Sequence, residues 1–321
     1  MKNHKVIITL VVALITAFIF VPQTWSAQSG TDWTVPGDFP TIQAAINSAS
    51  VIDGDIINVG PGSFTGAIVT KDIEIKGIGG AVINAGIVPP IPNAFPGTVG
   101  FWIETSGTGA TISHFHFDET VGFPVYGWIT DDITVNHNTM INSFQGVSNF
   151  AGNRWEIHHN EIIDLQTGCT LQCAGGIGIW LVGYQAATGL VEDNIVSHNT
   201  INGTVHLSAD TTGGFNAAGI SIQAIGPGGL ITLNRVSKNK VGLTSDNPAI
   251  VDVSGIDLSE SGASGVIFDN NIGFNDLREM VSGIGQINLS TAALDNPINR
   301  ISRNLGNNRG HGLHPSGFVG N

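Results

Sequence analysis

Three stretches of this chain superimpose without a gap. They are Gly189–Ile201, Gly229–Val241 and Gly265–Leu277, and they share Gly-Φ-Φ-x-x-Asn-x-Φ-x-x-Asn-x-Φ, where Φ is apolar. A repeat of this kind constrains the fold more than any other feature here. Each copy is one small unit that buries its apolar side only against the next. The first Asn column reads Asn194, Asn234 and Asn270, and the second reads Asn199, Asn239 and Asn275. Weaker copies extend the first column to Asn138, Asn160 and Asn299, and the second to Asn304. The first-column intervals are then 22, 34, 40, 36 and 29 residues. A floor with variable excess describes one compact coil carrying loops of different length.

A second strip, Gly-Φ-x-Φ, precedes most of these blocks. It reads Gly178-Ile-Trp-Leu181, Gly219-Ile-Ser-Ile222 and Gly255-Ile-Asp-Leu258, and Gly146-Val147 and Gly283-Ile284 begin similar strips. The excess residues fall mainly after the strip, as at 183–188 and 259–263. Each repeat therefore predicts about three short strands and two or three bends. Stacked, they form a solenoid of β-coils whose apolar positions meet their equivalents about 4.8 Å away. Asn suits the bends because it tolerates left-handed backbone angles. A buried Asn column can also satisfy its own amides from coil to coil. The alternative, turn-forming Asn on a β-sandwich, does not predict aligned columns. Composition agrees with many turns and short strands: the chain has 43 Gly, 28 Asn and only 12% charged residues.

The amino-terminal part adds a specific likeness. Phe39-Pro-Thr-Ile-Gln-Ala-Ala-Ile46, Gly54-Asp-Ile-Ile-Asn-Val59, Pro61-Gly-Ser-Phe64 and Ile73-Glu-Ile-Lys-Gly77 follow one another there. With the repeats, they resemble the right-handed parallel β-helix of the pectin-lyase-like superfamily, in particular its secreted members built from parallel β-helix repeats. The likeness runs from about Thr34 to the carboxyl end. It implies an all-β solenoid with a short amino-terminal helix that caps the first coil. That helix also follows from the residues, over about 41–50. Ile42, Ala45, Ile46 and Ala49 share one face, and Thr41 serves as cap or first-turn residue. The expected organisation is a signal peptide over 1–27 and one β-helix domain over 28–321, with the clearest repeats at 129–314.

The leader is read from its pattern. Lys2 and Lys5 precede an uncharged apolar run from Val6 to Val21, Pro22 breaks it, and Ser26 and Ala27 follow. Cleavage there would take the formal charge from -13 to -15. The mature protein is expected to be soluble and secreted, periplasmic or at the cell surface, with no membrane span left. Its acidity argues against nucleic acid as a partner, since phosphate contacts need clustered Lys and Arg. Cys169 and Cys173 are the only cysteines, and export favours a disulfide between them.

Catalytic sets do not stand out. The likeness implies enzymes that act on acidic polysaccharides: lyases with a basic residue beside calcium-binding carboxylates, hydrolases with clustered Asp, and esterases with paired Asp, Gln and Arg. No Lys or Arg lies on the Gly-Φ-x-Φ strips, and Gly310-His-Gly312 matches a hydrolase fragment in letters only. Asp131 and Asp132 form a calcium site only if a turn brings them together. No other cofactor is evident. The outward row of the strips is the better surface. It carries Ser148, Trp180, Ser221 and Asp257, with Gln223, Tyr184 and Glu260 just beyond. Trp180 can stack on the apolar face of a sugar, or instead pack under its own loop. Tyr184, Ser221, Gln223 and Asp257 can bond hydroxyls. Asp257 and Glu260 could form an acid/base pair, but need a turn to face each other.

His114 and His116 could share one strand face, and His137 and His159 precede equivalent Asn residues one coil apart. Two His make half a zinc site, and solvated His beside a turn is the simpler reading. Arg235, Lys238, Lys240, Arg300 and Arg303 form a basic ridge that could hold an anionic glycan or balance Asp193, Asp269 and Asp276. The leading expectation is an exported β-helix that binds or supports extracellular polysaccharide or surface structure without a recognisable active site. Its rivals are a polysaccharide lyase or glycoside hydrolase of unfamiliar type, and a structural or assembly protein. Gly312-Leu313 would begin one more coil with no helix after it, so either Pro315–Asn321 folds back across it or a partner covers it, and an oligomer could form through the carboxyl-terminal coil.

Overall fold

A computed structural model describes residues 30–89, 98–168, 175–184, 189–208, 215–226, 228–248, 250–261, 265–280, 287–289, 299–306 and 309–310. The leader, both cysteines and the final coil lie outside the described residues. Within them, every pairing between strands is parallel, and one isolated antiparallel bridge joins Ile87 and Val99. One coil runs through Thr134–Asn136, Thr139–Ser143 and Gln145–Phe150. The next runs through Glu156–His158, Glu161–Thr167 and Ile177–Tyr184, each strand pairing with its predecessor. The described strands thus stack into three long sheets, called faces 1, 2 and 3, of 10, 7 and 9 strands. From Leu190 onward each coil gains a strand before face 1, giving a three-stranded face 4: Leu190–Glu192, Leu230–Thr232 and Val266–Phe268. The chain is a parallel β-helix.

The core is a set of stacked aliphatic columns. On face 1 the column is Ile57, Ile75, Ile112, Val135, Ile157, Val196, Val236 and Ile272, all at 0% exposure. Each 13-residue block is face 4, a corner, face 1, a corner and the start of face 2. The two Asn columns are those two corners. At the corner between faces 1 and 2, each Asn Nδ2 donates to the next Oδ1. The series runs Asn138, Asn160, Asn199, Asn239, Asn275 and Asn304, at 3.0–3.1 Å. At the other corner the series is Asn149, Asn194, Asn234, Asn270 and Asn299. Asn138 and Asn160 therefore belong to the second column, not the first. Their coils lack face 4, so they have no first-column block to occupy.

The bends also differ from expectation in detail. The ladder Asn residues are not the left-handed ones. The residue before most of them takes that conformation, as at Asp193, Leu233 and Asp269 at one corner (φ 56°, 58° and 54°), and His198, Lys238 and Phe274 at the other (φ 56°, 60° and 62°). Left-handed angles cost a non-Gly residue roughly 1–2 kcal/mol. The Asn that follows offsets this by bonding the coils on both sides. The strip glycines have a packing cause. A Cβ on Gly178 would lie 2.5 Å from the Gly219 carbonyl oxygen, and one on Gly219 would lie 2.4 Å from Val241 Cγ1. Only a hydrogen fits where face 3 turns across face 2.

The first coil is capped by α1, Ile42–Asn47. The Thr41 hydroxyl accepts from the Ala44 N–H at 3.0 Å, and Ile42, Ala45 and Ile46 are buried. Ala49 is exposed, because Ser48 already returns to extended backbone. Gln43 does more than occupy the polar side. Its Oε1 accepts from Ile68 N–H at 2.7 Å and its Nε2 donates to Ile68 O at 3.2 Å, which satisfies the edge strand of face 3.

Candidate functional site

Face 3 has two sides, and both are buried. Its inward side joins the main core. Its outward side carries one register row, Trp102, Tyr126, Ser148, Trp180, Ser221 and Asp257, and beside it Trp128, Phe150, Val182, Gln223 and Ser259. The early coils make this side aromatic. Trp102 stacks on Tyr126 with centroids 4.9 Å apart at 8°, and Phe150 meets Trp180 edge-on at 4.9 Å. The later coils make it polar. Ser221 Oγ donates to Asp257 Oδ2 at 3.3 Å, and Ser259 Oγ donates to the same oxygen at 2.7 Å. Ser148 Oγ donates to Gln145 Oε1 at 2.6 Å. Ser259, Gln145 and the aromatic half were not singled out from the sequence, although the same alternation along each strand marks them.

The row is not exposed as expected. Trp180 is 4% exposed, Asp257 3%, Gln223 1% and Ser221 0%. Phe150, Ile177 and Val182 join Trp180, Trp102 and Tyr126 in a second apolar cluster outside the main core, which buries the aromatic half of the row. Two polar atoms within it, Trp180 Nε1 and Gln223 Oε1, have no hydrogen-bond partner among the described residues. Tyr184 is half-buried at the edge, its ring 5.9 Å from Trp128. The strand Ile250–Ser261 runs through both Asp257 and Glu260 with no turn between them, and Glu260 pairs in register with Ala224 rather than with the Ser221 row.

The other candidates sit elsewhere. Asp131 and Asp132 do share a turn, with Asp132 left-handed. Arg154 occupies it: Nε and Nη2 bond the two Asp132 oxygens at 2.7 and 2.8 Å, and Nη2 reaches Asp131 at 3.2 Å. The guanidinium bonded to Asp132 holds that carboxyl below its usual range. A calcium ion there would have to displace Arg154. His114 stands at a corner and His116 on face 2, so the two do not share a strand face. The basic residues separate into rows. Lys240 pairs with Glu279 at 2.8 Å, and Asp276 is taken by Arg278 at 2.6 Å. Arg303 lies over the Phe274 ring. Among the described residues no helix is long and apolar enough to cross a membrane.

No family model and no curated protein matches the sequence. Two solved structures are similar in the course of the chain. One is an alginate lyase from Paenibacillus sp. str. FPU-7, with 11% identity over 86% of this chain and 97% of that one, at a TM-score of 0.43. The other is a tailspike protein mutant of E. coli bacteriophage HK620 in complex with pentasaccharide. It shows 14% identity over 78% of this chain and 55% of that one, at a TM-score of 0.33. Independently of either, the parallel ladders of faces 1 to 3 and the two Asn series make this chain a parallel β-helix protein.

Proposed function

We propose that the chain is an exported β-helix protein that binds extracellular glycan along the outward side of face 3, without an active site. The observation that carries this reading is a pair of buried polar atoms without a partner among the described residues, Trp180 Nε1 and Gln223 Oε1, between stacked aromatics and the Asp257 carboxylate. A buried polar atom without a partner costs about 1–3 kcal/mol. A sugar suits both halves of the strip: its C–H face packs on aromatic rings, and its hydroxyls donate to Gln223 and Asp257 and accept from Trp180. At this burial a ligand enters only after the overlying groups move, so association is slow. Export rests on the leader-like run from Val6 to Val21.

The test is a panel of acidic and neutral polysaccharides, with and without calcium. It is read by affinity electrophoresis for binding, and by reducing ends and unsaturated products for turnover. The expected result is retardation by one class without turnover, lost in Gln223→Met. Turnover abolished by Asp257→Ala would reverse the reading in favour of a polysaccharide-active enzyme. Burial of the strip favours a second reading, a structural or assembly protein that takes no sugar. Failure of every polysaccharide to retard the protein would select it.

A further inference from the structure

The corner between faces 1 and 2 carries a second column on its solvent side. The residues before the ladder positions are His114, His137, His159, His198, Lys238, Phe274 and Arg303, all left-handed. The four imidazoles stack at 5.0, 5.1 and 4.9 Å between centroids, within 8° of parallel. A fifth imidazole joins them from face 1. His158 stands edge-on to His159 at 5.2 Å and to His137 at 6.1 Å, each at 89°. Its Nδ1 lies 3.0 Å from the Nδ1 of His159. Asn136 Oδ1 lies 2.9 Å from His137 Nδ1, so neutral His137 donates from Nδ1 and keeps its lone pair on Nε2.

The geometry points to a binding site for a divalent copper-type ion on His158 and His159, with His137 as third ligand. Imidazole nitrogen suits copper, nickel and zinc. Two nitrogens 3.0 Å apart, each about 2.0 Å from one ion, subtend roughly a right angle there. That is closer to the cis angle of tetragonal copper or nickel than to the tetrahedral angle. On binding, whichever ring now donates from Nδ1 carries its proton on Nε2 instead, so that both Nδ1 lone pairs face the ion and both imidazoles stay neutral. Among the described residues no three such side chains already converge on one point. The pair is preformed, and the exposed His137 ring has only to turn for its Nε2 to complete a link between neighbouring coils. Glu156, two residues before His158 on the same strand, adds a negative charge beside the site. The site is separate from the face 3 strip and stands or falls without it.

The test uses the full metal-free chain, titrated with Cu²⁺ at pH 7.5 and followed by calorimetry and electron paramagnetic resonance. The expected result is a saturable site with a tetragonal spectrum and coupling to at least two nitrogens. His158→Gln and His159→Asn should each weaken it tenfold or more; Asn is chosen because it tolerates the left-handed backbone. His206→Gln, whose imidazole pairs with Asp246, should leave it unchanged. No saturable binding in the parent would overturn the proposal. So would equal affinity in the double variant, or a spectrum without nitrogen coupling.

Discussion

Asn239 at a corner and Gln223 on face 3 are buried to the same degree, 1% exposed, yet they are used in opposite ways. Asn239 Oδ1 accepts from both the N–H and the Nδ2 of Asn199, while its own Nδ2 donates to Val196 O and to Asn275 Oδ1. Among the described residues, Gln223 Oε1 accepts from nothing. The corners thus convert buried amides into links between coils. The strip pairs some of its buried polarity, as at Asp257, but leaves Trp180 Nε1 and Gln223 Oε1 without a partner among the described residues. Polar groups kept at a cost to stability mark where a sequence answers to something besides folding.

The comparison breaks first at the corners if they are not what holds the coils. Asn234 Oδ1 accepts from Asn194 N–H and Nδ2, and its Nδ2 donates to Val191 O, Thr232 O and Asn270 Oδ1. Asn234→Ala strands several of these groups, and urea melts should show a loss of about 1–3 kcal/mol or more. An unchanged midpoint would mean that the ladder is ornamental.

Acid should act on the corners next, by less. His114, His158 and His198 are each held below the ordinary value of 6.5. Burial is the main cause; the second is His137, His159 and Lys238 respectively, with Glu74 opposing at His114 and Glu156 at His158. A folded-state value below the unfolded one means that the unfolded chain binds protons more readily. The stability involved is present above about pH 6.5 and is lost as pH falls through the lowered values. Thermal midpoints should therefore fall between pH 7.5 and 5. The fall should shrink in a variant carrying His114→Asn, His158→Gln and His198→Asn. Equal falls in parent and variant would remove the imidazole stack from the account.

Much of this was open to reading in the sequence, for a physical reason. Φ and Asn positions are dictated residue by residue, because each stacks on its own kind one coil away, so the columns survive as letters. The column before the Asn does not: His198, Lys238, Phe274 and Arg303 share a backbone angle, not a chemistry. His114, His137 and His159 were visible as residues, but their stacking was not. Alternation along the strand put Trp180, Ser221, Gln223 and Asp257 on one side of face 3. Their burial could not be read, because it depends on groups distant in sequence. Asn138 and Asn160 took the wrong column because nothing in their own coils announces the missing face 4.

A smaller test sharpens the contrast from the solvent side. Lys238 shares the corner with the ladder but is exposed. Lys238→Ala should change stability by no more than about 0.5 kcal/mol. A loss as large as that of Asn234→Ala would show that inward and outward positions have been confused.

The most direct measurement is the urea midpoint of Gln223→Met, a near-isosteric change that removes the unpartnered amide from the strip. If the Gln223 amide is reserved for a ligand and not for the fold, the variant melts at or above the parent, since the lost carbonyl bonds nothing among the described residues. A variant less stable than the parent by more than about 1 kcal/mol would contradict this, because the amide would then be part of what holds the coils together.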